Sequence, residues 1–191
     1  MRFTVVHKTQ LAVTENGDVL DVFDTDGMTR CDVSDGGKRR PASDSERVCY
    51  QRPVQSGTLV GAHAPARHRL GDLRLLWYPK GGHMLRHADR QVSARHAGTL
   101  VAIPPQTCEG GELVVSKGRT VLRRVPCHAT KWTVVTLPIG TYHEVTPVAS
   151  EGGRSVVTAP IFTVPAASTS GRRPRRPRAT RRWPRAPGVR D

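Results

Sequence analysis

The chain has 191 residues, a formal net charge of +14 and few aromatic side chains, at 5%. That length holds one folded core with extensions, not two large ones. Nine Arg against one Asp in residues 171–191 account for eight of the positive charges and leave +6 for residues 1–170. The bulk of the chain is therefore only moderately basic, and its charge by itself does not single out a nucleic-acid partner.

Residues 1–22 hold two short alternating runs, RFTVVHK and LAVTENGDVLDV, joined by Asn16-Gly17-Asp18, and read as a hairpin. Arg2, His7 and Lys8 interrupt the apolar residues after Met1, unlike the apolar run of a secretory leader. No stretch approaches the length of a membrane span. The expectation is an intracellular, cytoplasmic protein without a membrane partner. Cys31, Cys49, Cys108 and Cys127 form no CxxC pair, which disfavours a zinc ribbon and predicts free thiols. Residues 24–56 are polar and broken by Gly36-Gly37 and Pro41, and read as a long surface loop.

Strands are predicted next over 70–78, 98–103, 112–115, 120–125, 132–137, 142–148 and 155–164. They are short, rich in Val and Thr, and separated by turn signals at roughly 8–12 residues, the pattern of a β-sandwich or barrel. The connections read as too short for crossover helices, which argues against a doubly wound α/β fold. Beyond Ala166 the chain is Ser/Thr-rich and then Arg/Pro-rich, with little apolar surface to bury, and is predicted to be a disordered basic tail. The chain thus divides into 1–57, 58–166 and 167–191.

The candidate chemistry starts at RHADR. In a strand, residues two apart share a face, so His87 and Asp89 can present an imidazole and a carboxylate to one ion. His143, in TYHEVTPV, is a third ligand from a distant strand. Two His and one carboxylate on one face of an octahedron suit non-haem Fe(II). HxD alone is a weak signal, and Arg86 or Arg90 could simply pair with Asp89 in a solvated turn. His83 and His87 are four apart, but HMLRH lacks the Glu of HExxH and follows Gly81-Gly82, against a zincin helix. His63 and His68 read as loop residues, and His96 and His128 as solvent-facing.

The stretches LRLLWYPKGGHMLRHADR, GTLVAIPPQTCEGGELVV and YHEVTPVASEGGRSVVTAPIF resemble, in order, the prolyl-4-hydroxylase-like family of Fe(II)/2-oxoglutarate dioxygenases. The resemblance covers about residues 70–162. It implies a double-stranded β-helix, or jelly-roll, with His87, Asp89 and His143 as the catalytic iron ligands. It also implies that Arg154, 11 residues after His143, grips the distal carboxylate of 2-oxoglutarate through paired hydrogen bonds, with Tyr78 donating its hydroxyl to the same group. Thr158 assists if it points inward. Glu144 alternates to the other face and is not a ligand.

By the same resemblance the cofactor is Fe(II), the co-substrates are 2-oxoglutarate and O2, and L-ascorbate is an auxiliary candidate. The expected reaction is hydroxylation of a C–H bond with release of succinate and CO2. The expected partner is a protein or peptide, with peptidyl-proline as the favoured target. Nucleic-acid demethylases of the superfamily carry a second Arg six residues after the first, and here that position is Pro160. The alternative is a non-catalytic or degenerate jelly-roll binding module. The Arg-rich tail could add nucleic-acid binding, with Trp183 available for stacking.

Overall fold

The computed structural model describes residues 4–8, 26–35, 38–44, 46–54 and 64–165. The second half of the expected N-terminal hairpin and the basic tail lie outside the described residues. Within them the chain is all β, with fifteen strands and no helix, and so no helix long and apolar enough to cross a membrane.

The order is β1 (Thr4–Lys8), β2 (Thr29–Arg30), β3 (Asp32–Asp35), β4 (Lys38–Pro41), β5 (Arg47–Val48), β6 (Tyr50–Pro53), β7 (His68–Leu70), β8 (Arg74–Tyr78), β9 (His83–Ala88), β10 (His96–Ile103), β11 (Leu113–Lys117), β12 (Thr120–Val125), β13 (Trp132–Pro138), β14 (Tyr142–Val145) and β15 (Arg154–Thr163). The larger sheet runs β1-β13-β10-β15-β8-β6-β2, with β7 also on β15, and the smaller sheet runs β12-β11-β14-β9-β5. Strands β3 and β4 form a separate ribbon. The two main sheets form a double-stranded β-helix, as expected.

Alternation decides the core. Along β15, Val156 belongs to the cluster between the sheets with Leu76, Tyr78, Val101, Leu113, Val115 and Val145. Its neighbour Val157 joins Leu75, Leu100, Ala102, Val134 and Ala159 in a second cluster on the other face of the larger sheet. Strands buried on both faces read as continuous apolar runs, which is why β10, β13 and β15 are conspicuous in the sequence.

The sequence expectation fails in three places. Residues 24–56 are not simply a loop: β6 pairs with β8 in the larger sheet, and β5 pairs with β9 in the smaller. Strands of two to four residues are too short to display a full alternation. The single strand expected over 70–78 is split, with β7 and β8 pairing to opposite ends of β15 and Gly71-Asp72 between them. The free-thiol expectation is corrected for Cys108 and Cys127, which form a disulfide. The bridge Gln106↔Ala129 brings their two segments together antiparallel, and both Cys lie two residues inside it. Cys31 and Cys49 are buried and not disulfide-bonded, and the Cys49 thiol donates to Cys31 Sγ.

Candidate active site

The smaller sheet brings two imidazoles together through its register. His143 on β14 stands directly opposite His87 on β9, and the pairing shifts at a bulge between His143 and Val145. The ring centroids are 4.3 Å apart. Asp89 follows β9 by one residue. Its Oδ1 lies 3.7 Å from His87 Nε2 and 3.9 Å from His143 Nε2. One ligand atom from each of the three residues lies within 4.8 Å of the others, the grouping that can hold a metal ion.

The far side of each ring fixes which nitrogen faces the cluster. His87 Nδ1 sits 2.9 Å from the Leu85 carbonyl, and His143 Nδ1 sits 3.1 Å from the Thr141 carbonyl. A carbonyl only accepts, so each Nδ1 carries the proton and each Nε2 keeps its lone pair. A carbonyl behind a ligating imidazole is the usual outer support of a metal site. The carboxylate is held too: the Thr99 hydroxyl donates to Asp89 Oδ2. Thr99 lies on the Gly-Thr-Leu strand but was not recognised from the sequence as a site residue, because the contact spans ten residues and two sheets. Replacing Thr99 by Val, which keeps the shape and removes the donor, is expected to weaken binding of Mn(II) by about 10- to 100-fold, measurable by titration with an electron paramagnetic readout.

Burial and then the neighbouring His143 lower the pKa of His87 from 6.5 to about 4. The imidazole is therefore a neutral ligand across the physiological range. In the metal-free protein the sign of the pH effect follows. Below about pH 6.5 the unfolded chain takes up a proton that the folded ring refuses until about pH 4, so stability falls with pH across that window. A loss of about 2 kcal/mol between pH 7 and pH 4.5 is expected from urea unfolding, and His87→Gln should remove that part of the slope. Equal slopes in the two proteins would contradict the assignment.

Across the cavity lies Arg154, 1% exposed and the largest fully buried side chain among the described residues. It opens β15 and pairs in register with Tyr78, the last residue of β8, and its guanidinium carbon is 6.0 Å from the centre of the Tyr78 ring. Nη1 donates to the Gly111 carbonyl. Nε and Nη2 are buried without a hydrogen-bond partner. Gly111 is needed at that approach: its φ is +58°, and a Cβ there would lie 3.2 Å from Arg154 Cδ and 2.9 Å from Val148 Cγ2. Burial lowers the Arg154 pKa to about 10, which still leaves it charged at neutral pH. Burial also raises the Tyr78 pKa, so its hydroxyl stays protonated and able to donate.

One cavity of about 180 Å3 joins these groups, lined by His87, Asp89, His143, Tyr78, Arg154, Thr99 and Thr158, with apolar walls that include Leu76, Met84, Leu113 and Val156. All five residues singled out from the sequence line it, and Thr158 does point inward. Arg47, Gln51 and Arg74 also line it: Arg47 and Gln51 lie in 24–56, which reads as loop, and Arg74 lies in the predicted strand 70–78, whose inward face only the sheet packing decides. Among the other histidines, His83 makes a local contact 3.1 Å from the Gly81 carbonyl. His96 corrects the solvent-facing expectation: it is 6% exposed and packs against Phe162 at 5.4 Å, because the β10–β15 register sets them opposite each other.

The donor set fits Fe(II): two imidazole nitrogens and a carboxylate, all three residues lining one cavity. No family model matches the sequence, and no curated protein matches it. Solved structures do. A prolyl hydroxylase from Trichoplax adhaerens, in complex with a hypoxia inducible factor oxygen degradation domain peptide, superposes with a TM-score of 0.57 at 13% identity, covering 84% of this chain and 83% of that one. A 2OG-Fe(II) oxygenase family oxidoreductase from Burkholderia pseudomallei gives 0.52 at 15% identity, over 74% and 75%. A Pseudomonas putida prolyl-4-hydroxylase gives 0.50 at 17% identity, over 63% and 74%. The chain therefore has the fold of the 2OG-Fe(II) oxygenases and prolyl hydroxylases.

Proposed function

We propose that this chain is an Fe(II)/2-oxoglutarate-dependent dioxygenase that hydroxylates a C–H bond, with a protein side chain such as peptidyl-proline as the target. The observation that carries this reading is Arg154. A charged guanidinium buried with two nitrogens unpartnered is costly unless an anion occupies the space beside it. It shares one cavity with a His-Asp-His set. A dicarboxylate reaching from Arg154 to the metal ligands satisfies both ends at once.

His87, Asp89 and His143 would hold the ion at the wall of the cavity that they line. Arg154 takes the distal carboxylate by paired hydrogen bonds from Nε and Nη2, and Tyr78 donates its hydroxyl to the same group. Leu76, Met84, Leu113 and Val156 line the space between with apolar surface and exclude water. The ferrous ion, when bound, supplies activation of O2 coupled to decarboxylation of 2-oxoglutarate to succinate and CO2. L-ascorbate is assigned the auxiliary role of keeping the ion reduced.

A peptide substrate is supported by the Trichoplax adhaerens prolyl hydroxylase, whose structure holds a peptide. Residues 58–166 carry all five site residues, while β1, β2, β5 and β6 complete the sheets around them. Nucleic-acid binding by residues 171–191 is a separate proposal, tested by deleting them and comparing the salt dependence of binding. The dioxygenase reading is tested by succinate release with Fe(II), 2-oxoglutarate and ascorbate, and by a gain of one oxygen in candidate proline peptides. Iron-loaded protein that forms no succinate, even uncoupled, would leave a binding module with this fold.

A further inference from the structure

The mouth of the cavity carries charge that the metal and co-substrate sites do not use. On the inner face of the larger sheet, β8 presents Arg74, Leu76 and Tyr78, and β15 presents Thr158, Val156 and Arg154 as their register partners. The two rows grade from a buried cationic floor at Arg154 and Tyr78, through apolar Leu76 and Val156, to a polar rim at Arg74 and Thr158. Arg74 is exposed, and its Nη1 donates to Gln51 Oε1 at 3.0 Å. Gln51 comes from β6, where it pairs with Leu76. The rim guanidinium is thus oriented by a neutral amide that leaves its charge in place. Arg47, on β5 of the smaller sheet, lines the same cavity from the opposite side.

The charges inside the cavity define what is missing. Among the described residues lining it, Asp89 is the sole acid. With the reading above, a ferrous ion, the doubly negative co-substrate, Asp89 and Arg154 neutralise one another. Arg74 at the rim is then an excess cation at the point where a substrate must enter. A fixed cation at the edge of a low-dielectric cavity favours an anionic partner and disfavours a cationic one.

We propose that the rim is a carboxylate-binding subsite, in which Arg74, oriented by Gln51, holds a carboxylate of the substrate beside the C–H bond to be oxidised. The inference rests on the dioxygenase reading and names its substrate class: an acidic residue flanking the target in a peptide, or the carboxylate of a free acid. Both sources share the chemistry of a planar, singly charged oxygen pair that an Arg fork matches. Lys-flanked targets are excluded by the same charge.

The test uses the full chain loaded with Mn(II) and 2-oxoglutarate, and equilibrium binding read by fluorescence anisotropy. The probe is a fluorescein-labelled ten-residue peptide with one proline between two glutamates, and its counterpart carries glutamines. The glutamate peptide is expected to bind about tenfold more tightly. Arg74→Gln should remove that preference while leaving 2-oxoglutarate affinity unchanged. Arg123→Gln, an exposed β12 position outside the cavity, removes the same charge and should leave the preference intact, which separates the rim from general attraction to a basic chain. Displacement of the probe by N-acetyl-L-glutamate assigns the carboxylate to a free acid, and displacement by peptides alone assigns it to a flanking residue. Equal binding of the two peptides, equal loss in Arg123→Gln, or displacement by inorganic phosphate as readily as by carboxylate would overturn the proposal. Failure of 2-oxoglutarate to bind the wild-type protein would instead overturn the reading beneath it.

Discussion

Arg154→Leu is expected to weaken 2-oxoglutarate binding by about 100- to 1000-fold while leaving the metal-free protein as stable as the wild type, or more stable. The two effects have one cause. The guanidinium is buried, charged at neutral pH, and has two nitrogens without partners. Without an anion it burdens the fold, since replacing a buried charge by an apolar side chain of similar volume is commonly neutral or stabilising. With the anion bound, its paired hydrogen bonds form the far anchor of the co-substrate, and losing such a buried charged pair costs roughly 3–4 kcal/mol. Isothermal titration of Mn(II)-loaded protein gives the affinity, and thermal unfolding of the metal-free protein gives the stability. A variant that binds 2-oxoglutarate normally would remove Arg154 from the site. A variant strongly destabilised without ligand would make it a structural residue, held by its bond to the Gly111 carbonyl.

Asp89→Ala and His143→Ala are each expected to abolish succinate formation and to weaken Mn(II) binding by more than about 100-fold, beyond the range seen for loss of an outer support. Removing one of three ligands leaves two donors that cannot close one face of an octahedron. His143 is the more demanding case because it is nearly buried, and its ring packs against His87. His143→Ala therefore also creates a small cavity, and its unfolding midpoint should be recorded with its metal affinity. Asp89→Ala sits beyond the end of β9 and removes only the carboxylate and the Thr99 hydrogen bond, so it isolates the ligand role more cleanly. Metal binding that survives the double change His87→Ala with His143→Ala would refute the assignment of this cluster as the iron site.

The long strands were legible because a strand covered on both faces must be apolar over most of its length. The GTLVAI, WTVVTLP and RSVVTAPIF runs of β10, β13 and β15 show this directly. The short strands β5 and β6 were not legible. Each is fixed by its partner, β9 or β8, and not by a pattern of its own. That omission hid Arg47 and Gln51, and with them half of the cavity rim. The burial of His96 is hidden in the sequence for a similar reason: it comes from Phe162, 66 residues away in the chain, across a β10–β15 register that the local sequence does not contain.

The sequence by itself determined the residue types of the candidate site and their order along the chain: His87 and Asp89 at strand spacing, then His143, then Arg154. It also determined the β class, since short runs rich in Val and Thr with closely spaced turn signals leave no room for crossover helices. Only the tertiary structure decided that His143 faces His87, that Thr99 holds Asp89, and that Arg154 stands buried with two nitrogens unpaired at the floor of the same cavity. Those facts depend on strand register and on the packing of one sheet over another. Register is set by contacts between residues tens of positions apart, and a slip of one residue would turn every one of these side chains to the opposite face.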